Sequence, residues 1–170
     1  MATPYDTFPA TWQGRPPAMP AGDYLVWQSF RDFAATLWES VAYDVELRDG
    51  PWPIVSADAT MQAMWMKVTA RRVDALGWLR NVAAIIEVRH AAAWQSYGQL
   101  LGYADLWTTT YPNIPVNGLW LVTDQIPPDI RTVANNSGVH VWTPDNYTAP
   151  ARPRVVMPPG AIIASAPHQV

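Results

Sequence analysis

The sequence predicts one α/β domain, a mixed central sheet with helices on both faces, carried between extended proline-rich N- and C-terminal tails. Three observations predict it. Apolar residues recur at helical spacing in two long stretches, short β-branched runs bounded by turn residues alternate with them, and prolines crowd at the two ends. A length of 170 residues, 49% hydrophobic and 15% charged, suits one such core.

Of 17 prolines, 11 fall in residues 1–20 or 144–170. Proline fixes one dihedral and removes a donor, so residues 1–21 and 144–170 are expected to run extended beside a body spanning 22–143. Arms with so few charges have little to keep them in solvent. They are expected to lie on a surface, supplied by a partner subunit or by the chain's own body.

Within the body, Tyr24–Val41 sets Trp27, Phe30, Ala34, Leu37, Trp38 and Val41 at three- and four-residue steps, an amphipathic helix that Asp23 can cap. Tyr43–Arg48 reads as a short strand ended by the turn Asp49-Gly50-Pro51. From Met61 to Leu76 the residues alternate as in a strand: Met64, Met66, Val68 and Ala70 to one side, Trp65, Lys67, Thr69, Arg71 and Val73 to the other. Gly77–Asn81 is expected to turn. Val82–Val88 is an apolar strand broken only by Glu87.

A second helix is predicted over Ala91–Thr109, with Trp94, Tyr97, Leu101 and Ala104 on one line and Leu100, Tyr103 and Trp107 beside it; Tyr111-Pro112 closes it. Leu119–Thr123 is a strand, Pro128–Asn135 a short helix opened by proline and Asp129, and Val139–Trp142 a last strand. The unit from Val82 to Thr123 is expected to be a right-handed crossover between parallel strands.

Composition excludes several classes. Without cysteine there are no disulfides, thiolate zinc sites or cysteine nucleophiles. Apolar runs fall far short of the roughly 20 residues of a bilayer span. No secretory pattern follows Met1, so a cytoplasmic or virion location is expected. Gly-rich phosphate loops, Gly-x-Ser-x-Gly and His-Glu-x-x-His are missing, and His90, His140 and His168 show no metal-ligand spacing. A formal charge of −3 with a single lysine, Lys67, is unlike a strong nucleic-acid binder. Of ten tryptophans, Trp27, Trp38, Trp94 and Trp107 lie on helical core lines. Trp12, Trp52, Trp65, Trp78 and Trp142 lie near loops or strand ends and are candidate contacts with other protein subunits.

One segment carries the residues that could do chemistry. It reads Arg71-Arg72-Val73-Asp74-Ala75-Leu76-Gly77-Trp78, then Ala84-Ile85-Ile86-Glu87-Val88-Arg89, then Gln99-Leu100-Leu101-Gly102-Tyr103-Ala104. Glu87 and Arg89 share one strand face, and Gln99 and Tyr103 share one helix face. Two readings follow. Asp74 and Glu87 are hard oxygen ligands suited to Mg²⁺, which activates water beside a phosphodiester. Alternatively they pair with Arg72 or Arg89 at the sheet rim, which relieves the cost of burying Glu87.

These motifs, in this element order, resemble the PD-(D/E)xK nuclease superfamily, the restriction-endonuclease-like fold, across about residues 24–142. The resemblance implies that Asp74 and Glu87 bind one or two divalent metals, Mg²⁺ or Mn²⁺, with Gln99 and Tyr103 on the same cleft. Arg89 departs from it, standing where the family has lysine. Arginine stays protonated, so it clamps phosphate but is a poor proton acceptor. Lys67 on the neighbouring strand is the candidate for a migrated lysine, and Glu39 for an extra ligand. Two functions follow. One is a non-catalytic assembly protein, such as a bacteriophage virion or tail component, that grips neighbouring subunits in a homo-oligomer or larger assembly and needs no cofactor. The other is a metal-dependent nuclease acting on nucleic acid.

Overall fold

Helix α1 forms over Ala21–Leu37, where Val26, Trp27, Phe30 and Ala34 make a single buried stripe. In the computed structural model, which describes residues 5–47, 60–61 and 70–157, this helix starts and stops earlier than the apolar period implies. It begins after Pro20, and Asp23 makes no cap. It ends because Trp38 is extended (φ −129°, ψ 150°) and Val41 pairs with Gly77 in the sheet. An apolar residue at a helical step can equally continue a strand, and tertiary pairing decides which.

Among the described residues, eight strands follow one another as β1 (Phe8–Pro9), β2 (Ser40–Leu47), β3 (Arg71–Leu79), β4 (Val82–Ala91), β5 (Val116–Gln125), β6 (Val139–Thr143), β7 (Asn146–Thr148) and β8 (Val155–Val156). Helix α2 (Trp94–Thr110) joins β4 to β5, and α3 (Pro128–Asn136) joins β5 to β6. The strands lie in the order β1 to β7, with β8 beside the start of β5. Neighbours from β1 to β4 are antiparallel, β4, β5 and β6 are parallel, and β7 and β8 return antiparallel. The sheet is therefore mixed, as the element order predicts.

Alternate residues on the strands feed two cores. Ala75, Ile86, Trp120, Val122 and Trp142 pack under α1, whereas Leu76, Ile85, Leu119, Leu121 and Val141 pack under α2 and α3. Helices thus cover both faces. The expected turn at Gly77–Asn81 shrinks to Arg80-Asn81, because Gly77 is a packing residue within β3: a Cβ on it would sit 2.2 Å from the Trp38 indole. Thr60 and Met61 are helical, so the extended stretch expected from Met61 does not start there. Residues 62–69, with Trp65 and Lys67, lie outside the described residues, as do Trp52 and the turn Asp49-Gly50-Pro51.

The described parts of both arms lie on the chain's own body. Phe8 and Pro9 pair with Val41 and Ser40, Ala10 and Met19 are buried, and the Phe8 and Trp12 rings stack at 4.3 Å. On the other side β7 and β8 extend the same sheet. This changes the reading of the tryptophans. Trp78 (4% exposed) and Trp142 (7%) sit in the cores instead of facing a partner, and Trp12 is half-buried. Trp27, Trp38 and Trp107 are core as expected, but Trp94 is 52% exposed. The buried stripe of α2 runs through Ser96, Leu100, Tyr103, Ala104 and Trp107, leaving the line of Trp94 at its margin. Among the described residues no helix is long and apolar enough to cross a membrane.

Candidate functional site

Strands β3 and β4 pair from Leu79↔Val82 to Ala75↔Ile86, and there the ladder stops. Beyond it the Asp74 carboxylate replaces a backbone partner, with Oδ2 accepting the Val88 N–H at 2.9 Å. Glu87, two residues past Ile85 on β4, shares its face, toward α2. Helix α2 adds Gln99, half-buried, and Tyr103, buried. The structure therefore brings Asp74, Glu87, Arg89, Gln99 and Tyr103 to one end of the sheet.

Arg89 is the hub. Its Nη1 lies 3.1 Å from Asp74 Oδ2, 3.4 Å from Asp23 Oδ2 and 2.9 Å from the Val88 carbonyl oxygen. Its Nη2 lies 2.5 Å from Glu87 Oε1 and 3.4 Å from Gln99 Oε1. Asp23 comes from the first turn of α1, on the opposite face, and its other oxygen accepts the His90 N–H at 2.7 Å. Nothing local in the sequence ties Asp23 to a guanidinium 66 positions later. Its one sequence signal is an acidic residue in a first helical turn, and that equally suggests capping.

Burial sets the electrostatics. Glu87 is 0% exposed, and desolvation followed by the negative charge of Asp74 pushes its pKa up to about 9, against the pull of Arg89. Close as Arg89 is, neither Glu87 oxygen receives a well-directed hydrogen bond from a donor. The raised pKa supplies what is missing: at neutral pH Glu87 carries a proton that it can share with Asp74. Burial raises the Asp74 pKa too, opposed by Arg89 and the Val88 N–H. For Arg89, burial opposes the charge, but Asp74, Glu87 and Asp23 outweigh it and hold the guanidinium protonated. The Tyr103 phenol is pushed up by burial and then by the two carboxyls, so it remains a hydroxyl.

These oxygens converge on a guanidinium. A divalent ion, which needs about six oxygen ligands, takes them only by displacing Arg89 and removing the Glu87 proton. Among the described residues no group of three or more acidic or histidine side chains has the arrangement of a metal centre. The remaining sequence candidates lie elsewhere. Arg72 pairs with Asp44 (2.7 Å) and Glu46 (3.3 Å), leaving Asp74 and Glu87 to Arg89. Glu39 sits by the β3–β4 turn, where its Oε2 is 3.4 Å from the Arg80 N–H. Lys67 lies outside the described residues. Beside the cluster a groove of about 370 Å³ runs along α2, lined by Arg71, Gln95, Gly98, Gln99, Gly102 and Tyr103.

Compared with models of protein families, with curated proteins and with solved structures, the chain matches none.

Proposed function

We propose that this chain is a non-catalytic assembly protein on a restriction-endonuclease-like scaffold, in which Arg89 has replaced both the metal ions and the lysine of a nuclease centre. The observation that carries this reading is the contact of one guanidinium with all three carboxyls, Asp23, Asp74 and Glu87. A cation that never loses its proton cannot act as a base, and it neutralises the acids that a hydrated metal would need. The cluster then serves as a lock that joins α1, β3, β4 and α2.

The partner contact is assigned to the same end of the sheet. Leu25 (63% exposed), in the second turn of α1, and Trp94, the first residue of α2, stand near the starts of the two helices that begin there, one on each face of the sheet. Exposed large apolar side chains of this kind suit a protein interface. The described arms lie on their own body, so exposed side chains such as these, and not the arms, support assembly.

Purified protein incubated with single- and double-stranded DNA and RNA in Mg²⁺ or Mn²⁺ is expected to leave them intact. Cutting that disappears in Asp74→Ala would overturn the reading. Sedimentation is expected to show a mass above the monomer that falls in Leu25→Ser/Trp94→Ser. A wild-type chain that stays monomeric at high concentration counts against self-assembly. The groove along α2 favours a second reading, a metal-dependent nuclease in which Arg71 and Gln99 contact phosphate.

A further inference from the structure

At the other end of β4 and β5 the sheet opens a cleft of about 550 Å³, within the range of small-ligand sites. Rings build its floor. Trp120, buried, stacks on His140 (centroids 4.2 Å apart, planes 6° apart) and on Tyr147 (5.5 Å, 8°). Those two rings are parallel within 3°, with centroids 6.2 Å apart, and are joined edge to edge by a 2.9 Å hydrogen bond between His140 Nδ1 and the Tyr147 hydroxyl. Among the described residues, Trp120 is the one ring stacked parallel on this pair; Phe33 meets Tyr147 at a tilt (centroids 5.1 Å apart, 53°), and Tyr147 stays 38% exposed where it lines the cleft. Gly118, at φ +119°, keeps side-chain bulk away: a Cβ there would press to 3.1 Å from Trp120 Nε1. Burial lowers the His140 pKa to about 4, so the plane is uncharged at neutral pH.

The rim is polar. Arg80 fills a two-residue hairpin turn with φ +56°, a left-handed conformation that favours glycine or asparagine. Among the described residues its guanidinium has no carboxylate within ion-pair distance, although Glu39 lies in the same cleft and accepts from the Arg80 backbone. A cation kept in a strained turn at a cleft mouth suggests selection for the side chain. Asn117, exposed on β5, offers an amide with no hydrogen-bond partner among the described residues.

We propose that this cleft binds a planar aromatic ligand carrying an anionic group, of the nucleoside monophosphate class, with the base on the His140–Tyr147 plane and the phosphate at Arg80. An uncharged aromatic plane stacks on any base, arginine matches phosphate through paired N–H donors, and the Asn117 amide can read a base edge. The same chemistry belongs to a free nucleotide and to a phosphorylated strand end. It does not depend on how the Arg89 cluster is read.

The test is calorimetry and saturation-transfer NMR on the full chain, using AMP, UMP, adenosine, inorganic phosphate, N-acetyltryptophanamide and a phosphorylated dinucleotide. AMP is expected to saturate, with adenosine and phosphate each weaker by about tenfold or more. Arg80→Gly should reduce AMP to the level of adenosine while keeping or raising the melting temperature, since glycine suits that turn. His140→Ala should weaken both ligands. A dinucleotide tighter than AMP assigns the site to a strand end, and a weaker one to a free nucleotide; either upholds the proposal. Failure of every nucleotide to saturate at millimolar concentration would overturn it. So would AMP binding unchanged in Arg80→Gly, or N-acetyltryptophanamide binding as tightly as AMP, which would point to a partner's aromatic side chain.

Discussion

The two ends of strands β4 and β5 solve opposite problems with the same backbone. At one end Asp23, Asp74 and a protonated Glu87 surround Arg89, and stability there comes from Arg89 and the two aspartates neutralising one another out of water. At the other, Trp120, His140 and Tyr147 stack, and stability comes from apolar area and ring contact. The difference teaches where this chain is brittle. A charge cluster fails when one member leaves, whereas stacked rings lose area in proportion to what is removed.

Removing the hub gives the largest expected effect. Arg89→Ala strands three carboxyls and should destabilise the fold by about 3–5 kcal/mol in chemical denaturation. Much of that loss should return in Arg89→Ala/Asp74→Asn, and a loss below about 1 kcal/mol would show that the cluster is solvated and loosely held. At the ring end, Trp120→Ala should lose about 3 kcal/mol through the void it leaves, with little dependence on salt.

Acidity separates the two ends next. Glu87 has a pKa raised from 4.5 to about 9, so the folded chain holds a proton that the unfolded chain releases. Its contribution is full below about pH 4.5 and is lost as pH rises toward about 9. His140 behaves the other way. Its pKa falls from 6.5 to about 4, so its contribution is present above about pH 6.5 and lost as pH falls toward 4. Glu87→Gln is therefore expected to stabilise the protein by about 2 kcal/mol near pH 8 and to flatten the alkaline limb of a melting-temperature profile. His140→Gln should flatten the acid limb alone. If both variants leave both limbs unchanged, neither group titrates as its burial implies.

Tyr147→Phe gives the smallest effect. It removes the hydroxyl bonded to His140 and keeps the ring, so about 0.5–1.5 kcal/mol should be lost at neutral pH. A larger loss would mean that the hydrogen bond, more than the stacking, orients the pair.

Local spacing made much of the candidate site legible. Glu87 and Arg89 lie two apart on a strand, and Gln99 and Tyr103 four apart on a helix, so their shared faces follow from backbone periods alone. Asp23 was not legible, because its link to Arg89 exists only once α1 is laid across the sheet. The tryptophans misled for the same reason. Position near a turn suggested an exposed Trp78 and Trp142, and helical periodicity a buried Trp94. Burial, however, depends on which elements pack over a residue, and there the three are reversed. Gly77 read as a turn, but its bare Cα is what lets Trp38 lie against β3.

By itself the sequence determined the class of the fold, the apolar faces of α1 and α2, the buried strands, and the strand face that Glu87 and Arg89 share. Those features depend on repeats of two and of 3.6 residues, which any stretch of chain expresses without its distant neighbours. Only the tertiary structure decided that the described arms complete the sheet, that Asp23 joins the guanidinium, that Glu87 is buried enough to keep its proton, and that three rings stack around an open cleft. Each of these needs residues far apart in the chain to exclude water together, and desolvation is a property of the packed whole.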